Sequence, residues 1–135
     1  MALFVWNDTY SVQVGTIDEQ HKKLFNIINQ LHDALGAGKG QATVKTILKE
    51  LVDYTVTHFR AEEALLEKQA YPNLAVHRLE HKNLIDKIKK FQAEYETGQL
   101  GMAVQVMNFL QDWLKSHILK TDKQYSPFLN SKGVH

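Results

Sequence analysis

The sequence predicts an all-α protein, specifically an up-down-up-down antiparallel four-helix bundle with an extended N-terminal arm. Apolar residues recur at three- and four-residue steps in four successive stretches, which is the period of an amphipathic helix. Breaks that contain glycine or proline separate these stretches, and no stretch competes as a strand. Four helices joined by short connections pack most simply as an antiparallel bundle.

The chain of 135 residues has the size of one domain and is long enough to bury a core. Residues 1–15 show no helical period, and we expect them to form an arm that packs against the domain. Residues 16–125 are then the four-helix bundle, and residues 126–135 are a C-terminal tail. We therefore expect residues 1–135 to form a single domain.

A capping box is predicted at the start of the first helix, with Thr16 as the N-cap and Glu19 at the third helical position. The apolar stripe of this helix comprises Ile17, His21, Leu24, Ile28, Leu31 and Leu35. Three glycines are expected to end it, namely Gly36, Gly38 and Gly40. The second helix runs roughly from Ala42 to Gln69, and its stripe comprises Val44, Ile47, Leu51, Tyr54, His58, Glu62 and Leu65.

Tyr71 and Pro72 break the second helix, and Asn73 can cap the third. The third helix is predicted to end near Thr97 and Gly98, and its stripe comprises His77, His81, Leu84, Ile88, Phe91 and Tyr95. A fourth helix follows Gly101, with a stripe of Ala103, Val106, Leu110, Trp113 or Leu114, and His117. Pro127 is expected to lie just beyond its end.

Composition excludes several classes of function. The formal net charge is +1 with acids and bases interleaved, which gives no electrostatic case for nucleic acid or an anionic membrane surface. The absence of cysteine excludes disulfides, thiolate metal sites and thiol nucleophiles. The N-terminal residues lack the pattern of a signal peptide, and no stretch approaches the roughly 20 apolar residues of a membrane span. We therefore expect a cytoplasmic protein.

Potential metal ligands are predicted to converge at one end of the bundle. His58 and Glu62 are four residues apart, as are His77 and His81, so each pair shares a helix face. In an antiparallel bundle these pairs lie within about 5–18 Å of one common end. Two further positions reach the same end, namely His21 on the first helix and His117 with Asp122 on the fourth.

A single histidine on an apolar stripe is more often a hydrogen-bonded core residue than a ligand. Here, however, five histidines and two acids share one depth, and burying so many polar groups without partners would cost several kcal/mol. Metal coordination satisfies all of them. One feature of the spacing is irregular, because His117 and Asp122 are five residues apart, about 140° round an ideal helix. We predict either a π-type turn between them or a helix end that redirects Asp122 inward.

Five imidazoles and two carboxylates exceed what one zinc ion accepts, since zinc is usually four-coordinate. The same set suits two ions with bridging carboxylates. A histidine-rich site without thiolates favours iron, with zinc, copper or manganese less suited. No glutamate has a histidine three residues later, so a ferritin-type di-iron site is disfavoured.

The motifs around these ligands resemble the hemerythrin family, and within it the single-domain bacterial hemerythrins. The matching stretches run across nearly the whole chain, and all seven ligand positions are filled. They are Ile17-Asp18-Glu19-Gln20-His21, His58-Phe59-Arg60-Ala61-Glu62-Glu63, Tyr71-Pro72 followed by His77-Arg78-Leu79-Glu80-His81, and His117-Ile118 leading to Asp122 and Tyr125. One departure is Leu66, where many members carry methionine, and we expect it to change packing rather than ligation.

The resemblance implies two iron ions joined by an oxo or hydroxo bridge, with dioxygen as the ligand. It implies that one iron is held by His77, His81 and His117, the iron with the open position by His21 and His58, and both by the bridging Glu62 and Asp122. It also implies an apolar dioxygen pocket lined by Leu24, Trp113, Leu114 and Ile118. Tyr125 is expected to donate a hydrogen bond to a bridging carboxylate. An oxygen-consuming enzyme is a candidate partner of a monomeric carrier.

Three other functions stay open at this point. His77-Arg78-Leu79-Glu80-His81 matches the H-x-x-E-H metalloprotease pattern with Glu80 as the base. That pattern also needs a third ligand, typically a downstream glutamate, and no glutamate occurs after Glu96. An oxygen or redox sensor would need a protein partner. A di-iron enzyme that handles peroxide or nitric oxide would need an acid–base residue beyond the ligands, and we expect a carrier instead of an enzyme.

Overall fold

The computed structural model describes residues 4–36, 41–96 and 103–135 of the chain. Within these ranges the fold is all-α, which confirms the predicted fold class. The helices are α1 (Gly15–Gly36), α2 (Gln41–Lys68), α3 (Leu74–Glu96), α4 (Ala103–Ser116) and α5 (Lys123–Ser131). A 3₁₀ turn at Asp8–Tyr10 precedes α1, and a π-helical segment at His117–Asp122 joins α4 to α5. None of these helices is long and apolar enough to cross a membrane.

Successive helices run in alternating directions. Residues 37–40 connect α1 to α2, and His21 near the start of α1 lies 3.7 Å from Glu62 near the end of α2. His77 near the start of α3 lies 2.5 Å from the same carboxylate. The end of α4 returns to this level at His117. All four long helices therefore meet at one end, as the sequence predicts.

The N-terminal arm is held against α1 at two points. The N–H of Phe4 donates to Oδ1 of Asn29 at 2.8 Å, and Nδ2 of Asn29 donates back to the carbonyl of Phe4 at 2.9 Å. Further along, the carboxylate of Asp18 accepts hydrogen bonds from the hydroxyl of Ser11 at 2.6 Å and the N–H of Val12 at 2.9 Å. The arm therefore covers α1 through specific hydrogen bonds as well as apolar contacts.

The predicted capping box at the start of α1 is wrong. The helix begins at Gly15, so Thr16 lies inside its first turn, and Glu19 is exposed and pairs with Lys22 at 3.1 Å. The acid that organises this end is Asp18, because the arm supplies donors that local sequence could not reveal. Gly36 ends α1 as predicted. The other glycines and the threonine expected near helix ends lie outside the described residues, namely Gly38, Gly40, Thr97, Gly98 and Gly101.

A tight turn joins α2 to α3. Ala70 adopts a left-handed conformation with φ +57°, and the N–H of Tyr71 donates to the carbonyl of Leu66 at 2.9 Å. This is the backbone arrangement of a Schellman cap, which glycine usually fills. Asn73 occupies the N-cap position of α3, where its carbonyl accepts from the N–H of His77 at 3.1 Å.

The end of the bundle differs from the prediction. A π-helical segment separates His117 from Asp122, which confirms one of the two predicted distortions. Pro127, however, lies inside α5 and not beyond the last helix, and α5 includes the first six residues of the predicted tail. Burial of Tyr125 and Leu129 on either side of the proline offsets the backbone hydrogen bond that proline cannot donate.

The apolar core has two parts that lie on either side of the predicted ligands. The main core lies toward the α1–α2 connection and includes Leu24, Ile28, Leu31, Leu51, Leu84, Ile88, Leu110, Leu114 and Ile118. The end core includes two residues of the N-terminal arm and comprises Val12, Val14, Ile17, Leu66, Tyr71, Tyr125 and Leu129. Leu66 is fully buried in the end core, where it contributes to packing. The level between the two cores is therefore closed to solvent on both sides.

Candidate metal centre

The structure brings all seven predicted ligand side chains to one buried level, and none is more than 5% exposed. The seven residues are His21, His58, Glu62, His77, His81, His117 and Asp122. They come from three long helices and the π-helical segment. Imidazole and carboxylate groups are seldom buried together without partners, so this level of the bundle is built for chemistry and not only for packing.

These side chains form two overlapping groups. Within each group the potential ligand atoms all lie within 4.8 Å of one another. The three-histidine group comprises His77, His81, His117, Glu62 and Asp122. The two-histidine group comprises His21, His58 and Glu62. The shared glutamate joins the two groups.

Glu62 divides its two carboxylate oxygens between the groups. Its Oε1 atom lies 2.5 Å from Nε2 of His77 and 3.2 Å from Nε2 of His81. Its Oε2 atom lies 3.4 Å from Nε2 of His58 and 3.7 Å from Nε2 of His21. One carboxylate therefore faces the imidazoles of both groups at once.

Asp122 spans the same two groups from the opposite helix. Its Oδ1 atom lies 2.9 Å from Nε2 of His117 and 3.0 Å from Nε2 of His77. Its Oδ2 atom lies 3.3 Å from Nε2 of His21. The two buried carboxylates thus have the same orientation, with one oxygen toward each histidine group.

The helical register explains how the chain presents these groups. On α2 and α3 the four-residue spacing places His58 with Glu62 and His77 with His81 on single inward faces. After α4 the spacing is five residues, and the π-helical segment widens the turn so that His117 and Asp122 are both buried. Without that extra residue per turn, the aspartate would point away from the histidine.

The outer nitrogens of two imidazoles are held by polar side chains that the sequence reading did not identify. Nδ1–H of His58 donates to Oε1 of Gln20 at 2.6 Å, and Nδ1–H of His81 donates to Oε2 of Glu63 at 2.9 Å. These bonds fix the tautomer and direct Nε2 toward the carboxylates. The only signal in the sequence was the proximity of Gln20 and Glu63 to ligands in the matching stretches.

Two further groups support the cluster. Tyr125 donates from its phenol to Oε2 of Glu62 at 3.2 Å. The Glu80 carboxylate lies 3.2 Å from Nδ1 of His117, although the two are not aligned for a hydrogen bond. Glu80 therefore lies on the outer side of the imidazole, away from Nε2, where it could not act as the base of a site built on His77 and His81.

The carboxylates determine the protonation of the imidazoles in the metal-free chain. Burial by itself lowers the pKa of His21, but the nearby carboxylates of Asp122 and Glu62 outweigh it and raise the pKa to about 9. The same balance raises the pKa of His77 to about 10. His58 differs, because burial lowers its pKa and Glu62 offsets this only in part.

The acids shift in the opposite direction. Burial raises the pKa of Glu62, yet the four histidines that surround its carboxylate hold that pKa well below its usual value. For Asp122, burial and the charge of Glu62 raise the pKa, while His117 and His21 outweigh them and lower it. Two ionised carboxylates beside protonated imidazoles show that this level favours cations.

The donor set fits two transition-metal ions. Among the described residues, neither carboxylate oxygen of Asp122 has a hydrogen-bond donor of suitable geometry, although the side chain is fully buried. Such a group costs free energy unless a cation takes the place of the missing donors. Nitrogen and oxygen donors without sulfur suit iron, and their number exceeds the four ligands usual for zinc.

An apolar cavity lies one helical turn from the ligand level, inside the main core. It has room for about one water-sized molecule, and it is lined by Leu24, Ile28, Leu51, Thr55, Leu84, Ile88, Leu110, Trp113 and Leu114. Three of the four predicted pocket residues are in this lining. Ile118 is buried in the same core but is not one of the residues that line this cavity.

The chain matches the hemerythrins in sequence and in structure. The family model described as "Hemerythrin HHE cation binding domain" matches residues 12–129. The bacteriohemerythrin of Methylococcus capsulatus (strain ATCC 33009 / NCIMB 11132 / Bath) is 35% identical over 132 residues, which cover 97% of this chain and 100% of that protein. Myohemerythrin-1 of Phascolopsis gouldii is 33% identical over 123 residues, covering 90% and 91%. A crystal structure of wild-type hemerythrin superposes with a TM-score of 0.87 at 35% identity, covering 93% and 97%.

Proposed function

The chain belongs to the hemerythrin family, and on this premise we propose that it binds dioxygen reversibly at a non-haem di-iron centre. One observation carries the proposal. Each of two buried carboxylates directs one oxygen to the three-histidine group and the other to the two-histidine group. A pair of bridging carboxylates between unequal histidine sets is suited to two ions, one of them with fewer protein ligands.

We assign the residues as follows. One iron would be held by His77, His81 and His117, and the other by His21 and His58. Glu62 and Asp122 would each supply one oxygen to either iron, and an oxo or hydroxo group would complete the di-iron centre. The imidazole count supports the assignment, because the second iron has one protein ligand fewer and keeps a position open. The orphaned oxygens of Asp122 give independent support, since a bridging role would satisfy both.

When bound, two iron ions would supply the open coordination position and the two electrons that reversible binding of dioxygen requires. The polypeptide excludes water from the site and holds the imidazoles in a fixed geometry. The residues that line the cavity beside the ligand level carry no ionisable side chain, so they offer no proton to a bound ligand. Gln20 and Glu63 hold two of the imidazoles in place from outside. These features support a carrier rather than an enzyme.

The principal test is an optical spectrum of the reduced, iron-loaded protein before and after exposure to air, together with the iron content per chain. We expect two irons per chain and charge-transfer bands that appear with air and disappear under vacuum. Stopped-flow mixing with peroxide tests the absence of catalysis, and we expect no sustained turnover. One iron per chain, or bands that do not reverse, would contradict the proposal.

We also propose that the protein is a cytoplasmic monomer that delivers dioxygen to an oxygen-consuming enzyme. The mixed surface charge and the absence of cysteine support the first part. Cell fractionation and size-exclusion chromatography of the iron-loaded protein test location and assembly. Recovery as a stable dimer would contradict the monomeric state.

A further inference from the structure

A positively charged groove lies on the surface between α2 and α3, directly over one of the imidazoles. Its volume is about 320 Å³, and its lining comprises Val56, Phe59, Arg60, Glu63, Arg78, His81, Lys82, Ile85 and Lys89. Four of these side chains are cationic and one is acidic, which leaves three net positive charges on a chain whose formal net charge is +1. Positive charge is therefore concentrated at this groove.

Most of the cationic side chains in this groove form no ion pair within the described part of the chain, so they are available to a partner. Arg78 pairs with Glu63 at 3.2 Å and with Glu67 at 3.0 Å. Within the described part of the chain, Arg60, Lys82 and Lys89 form no ion pair, and all three are exposed. A second surface groove, of about 430 Å³, is lined by two lysines and two acids and has no such excess.

The same groove reaches His81, which is one of its lining residues. The Glu63 carboxylate is 22% exposed and accepts a hydrogen bond from Nδ1 of His81 at 2.9 Å. The ring of Phe59 stacks on the His81 ring, with centroids 3.6 Å apart and an interplanar angle of 3°. One hydrogen bond and one ring contact thus connect the surface to an imidazole whose Nε2 lies 3.2 Å from Glu62.

We propose that this groove is the electron-entry surface of the protein, and that it docks the acidic face of a small one-electron-donor protein. The inference rests on the proposed di-iron function, because an oxygen carrier that autoxidises must be reduced again. Two donor molecules are needed per chain. Each loses one electron, and each electron returns one ferric ion to the ferrous state. Positive charge beside the route to the metal speeds the encounter with an acidic partner and orients it there.

The first test maps anion binding without using electron transfer. Hexacyanochromate(III), an inert paramagnetic anion, is titrated into the iron-loaded protein while backbone amide signals are followed by NMR. We expect line broadening concentrated on residues 56–63 and 78–89. The double variant Lys82→Glu/Lys89→Glu should lose it, whereas Lys49→Glu in the second groove should keep it. Broadening that is uniform, or strongest elsewhere, overturns the docking surface.

The second test measures reduction of the oxidised protein by a reduced [2Fe–2S] ferredoxin, a small acidic one-electron donor. At low ionic strength we expect the double variant to slow the second-order rate at least about 10-fold, and Lys49→Glu to change it little. The difference should shrink at high salt. Both lysines are exposed, so far-UV circular dichroism should match the wild type.

The outcomes separate the two proposals. If the wild type binds dioxygen but the double variant is reduced at the wild-type rate, the electron-entry surface is wrong and the di-iron function stands. If the wild type binds neither iron nor dioxygen, the proposed function fails, while the same anion titration of the metal-free chain still reports on the groove. A cationic reductant provides an internal check, because hexaammineruthenium(II) should reduce the double variant faster than the wild type.

Discussion

The phenol oxygen of Tyr125 lies 3.2 Å from Oε2 of Glu62, the carboxylate oxygen that also faces His21 and His58. Tyr125 belongs to the end core and Glu62 to the adjoining ligand level, and both are buried. Burial raises the pKa of Tyr125 well above its usual value, and the negative charges of Glu62 and Asp122 raise it further. The phenol therefore stays protonated and acts as a permanent donor to the carboxylate.

Tyr125→Phe removes that donor without changing the shape of the core. A hydrogen bond to a charged acceptor contributes about 1.5–3 kcal/mol, so we expect the free energy of unfolding to fall by about that amount. Iron content should stay at the wild-type level, since no proposed ligand is lost. Chemical denaturation and metal analysis measure both. Tyr71→Phe in the same end core is the control, and an equal loss there would show that the bond to Glu62 is not the cause.

Metal loading should release protons. In the metal-free chain the pKa values of His21 and His77 are about 9 and about 10, so both imidazoles are protonated at pH 7.5. Because iron must replace these protons at Nε2, we expect at least two protons to leave per chain, and metal affinity to fall as pH is lowered. Anaerobic calorimetry of ferrous iron binding, in two buffers of different ionisation enthalpy, gives the number. Binding without proton release at this pH would contradict the assignment.

The same shifts predict how the metal-free fold responds to alkali. Raised imidazole pKa values stabilise the folded state fully below the unfolded value of about 6.5, and this contribution is lost as pH rises through 9 to 10. We expect the metal-free protein to lose stability across that range more steeply than the iron-loaded protein. Urea unfolding at a series of pH values measures the difference.

Leu114→Ala should speed autoxidation of the oxygenated protein. Leu114 is buried and lines the cavity beside the ligand level, so its truncation lets water and protons reach a bound ligand. We expect a several-fold faster decay of the oxygenated spectrum and a loss of about 2–5 kcal/mol in stability. Leu31→Ala is the control, because Leu31 is buried in the same core away from the cavity. An unchanged or slower decay in Leu114→Ala would rule out the gating role.

His77→Ala should lose metal and weaken the fold. Nε2 of His77 contacts both carboxylates, at 2.5 Å from Glu62 and 3.0 Å from Asp122. Removing one partner of a buried charged group typically costs about 3–5 kcal/mol, and the loss of bound iron removes further stabilisation. Metal analysis and thermal unfolding test this. His32→Ala is the control, since His32 is 42% exposed, and full iron content in His77→Ala would contradict the proposed ligand set.

Thr55→Val should stabilise the bundle. The Thr55 hydroxyl is buried and has no hydrogen-bond partner among the described residues. By contrast, Thr57 donates to the carbonyl of Asp53 at 2.9 Å. Valine has the same shape and removes the unsatisfied group, so we expect a gain of about 1 kcal/mol, or roughly 4 °C in melting temperature. Thr57→Val serves as the control and should show no gain. Destabilisation of Thr55→Val would show that the hydroxyl has a role in the folded state.

The sequence could predict the meeting of the ligands because helical period and antiparallel packing fix depth along the bundle. Even the distortion before Asp122 followed from counting five residues after His117. The sequence could not predict hydrogen bonds between side chains on different elements of the fold. Gln20 bonds to His58 across two helices, and Asp18 binds the N-terminal arm in place of the expected capping box. Such contacts depend on side-chain conformation and on the path of the arm, which no local pattern encodes.

Pro127 was misplaced for a related reason. Local propensity ends a helix near proline, but burial of Tyr125 and Leu129 carries α5 past it to Ser131. Here the three-dimensional surroundings outweighed a rule that considers only neighbours along the chain.

The π-helical segment His117–Asp122 also sets a rule for recombining this chain with its relatives. The inward stripe before the segment and the inward stripe after it are out of phase by about 140° on a straight helix. A chimera that exchanges the C-terminal helix must therefore keep the five-residue interval intact. A crossover inside the interval that changes its length by two residues would turn Tyr125 and Leu129 toward water and leave the arm without a surface to cover.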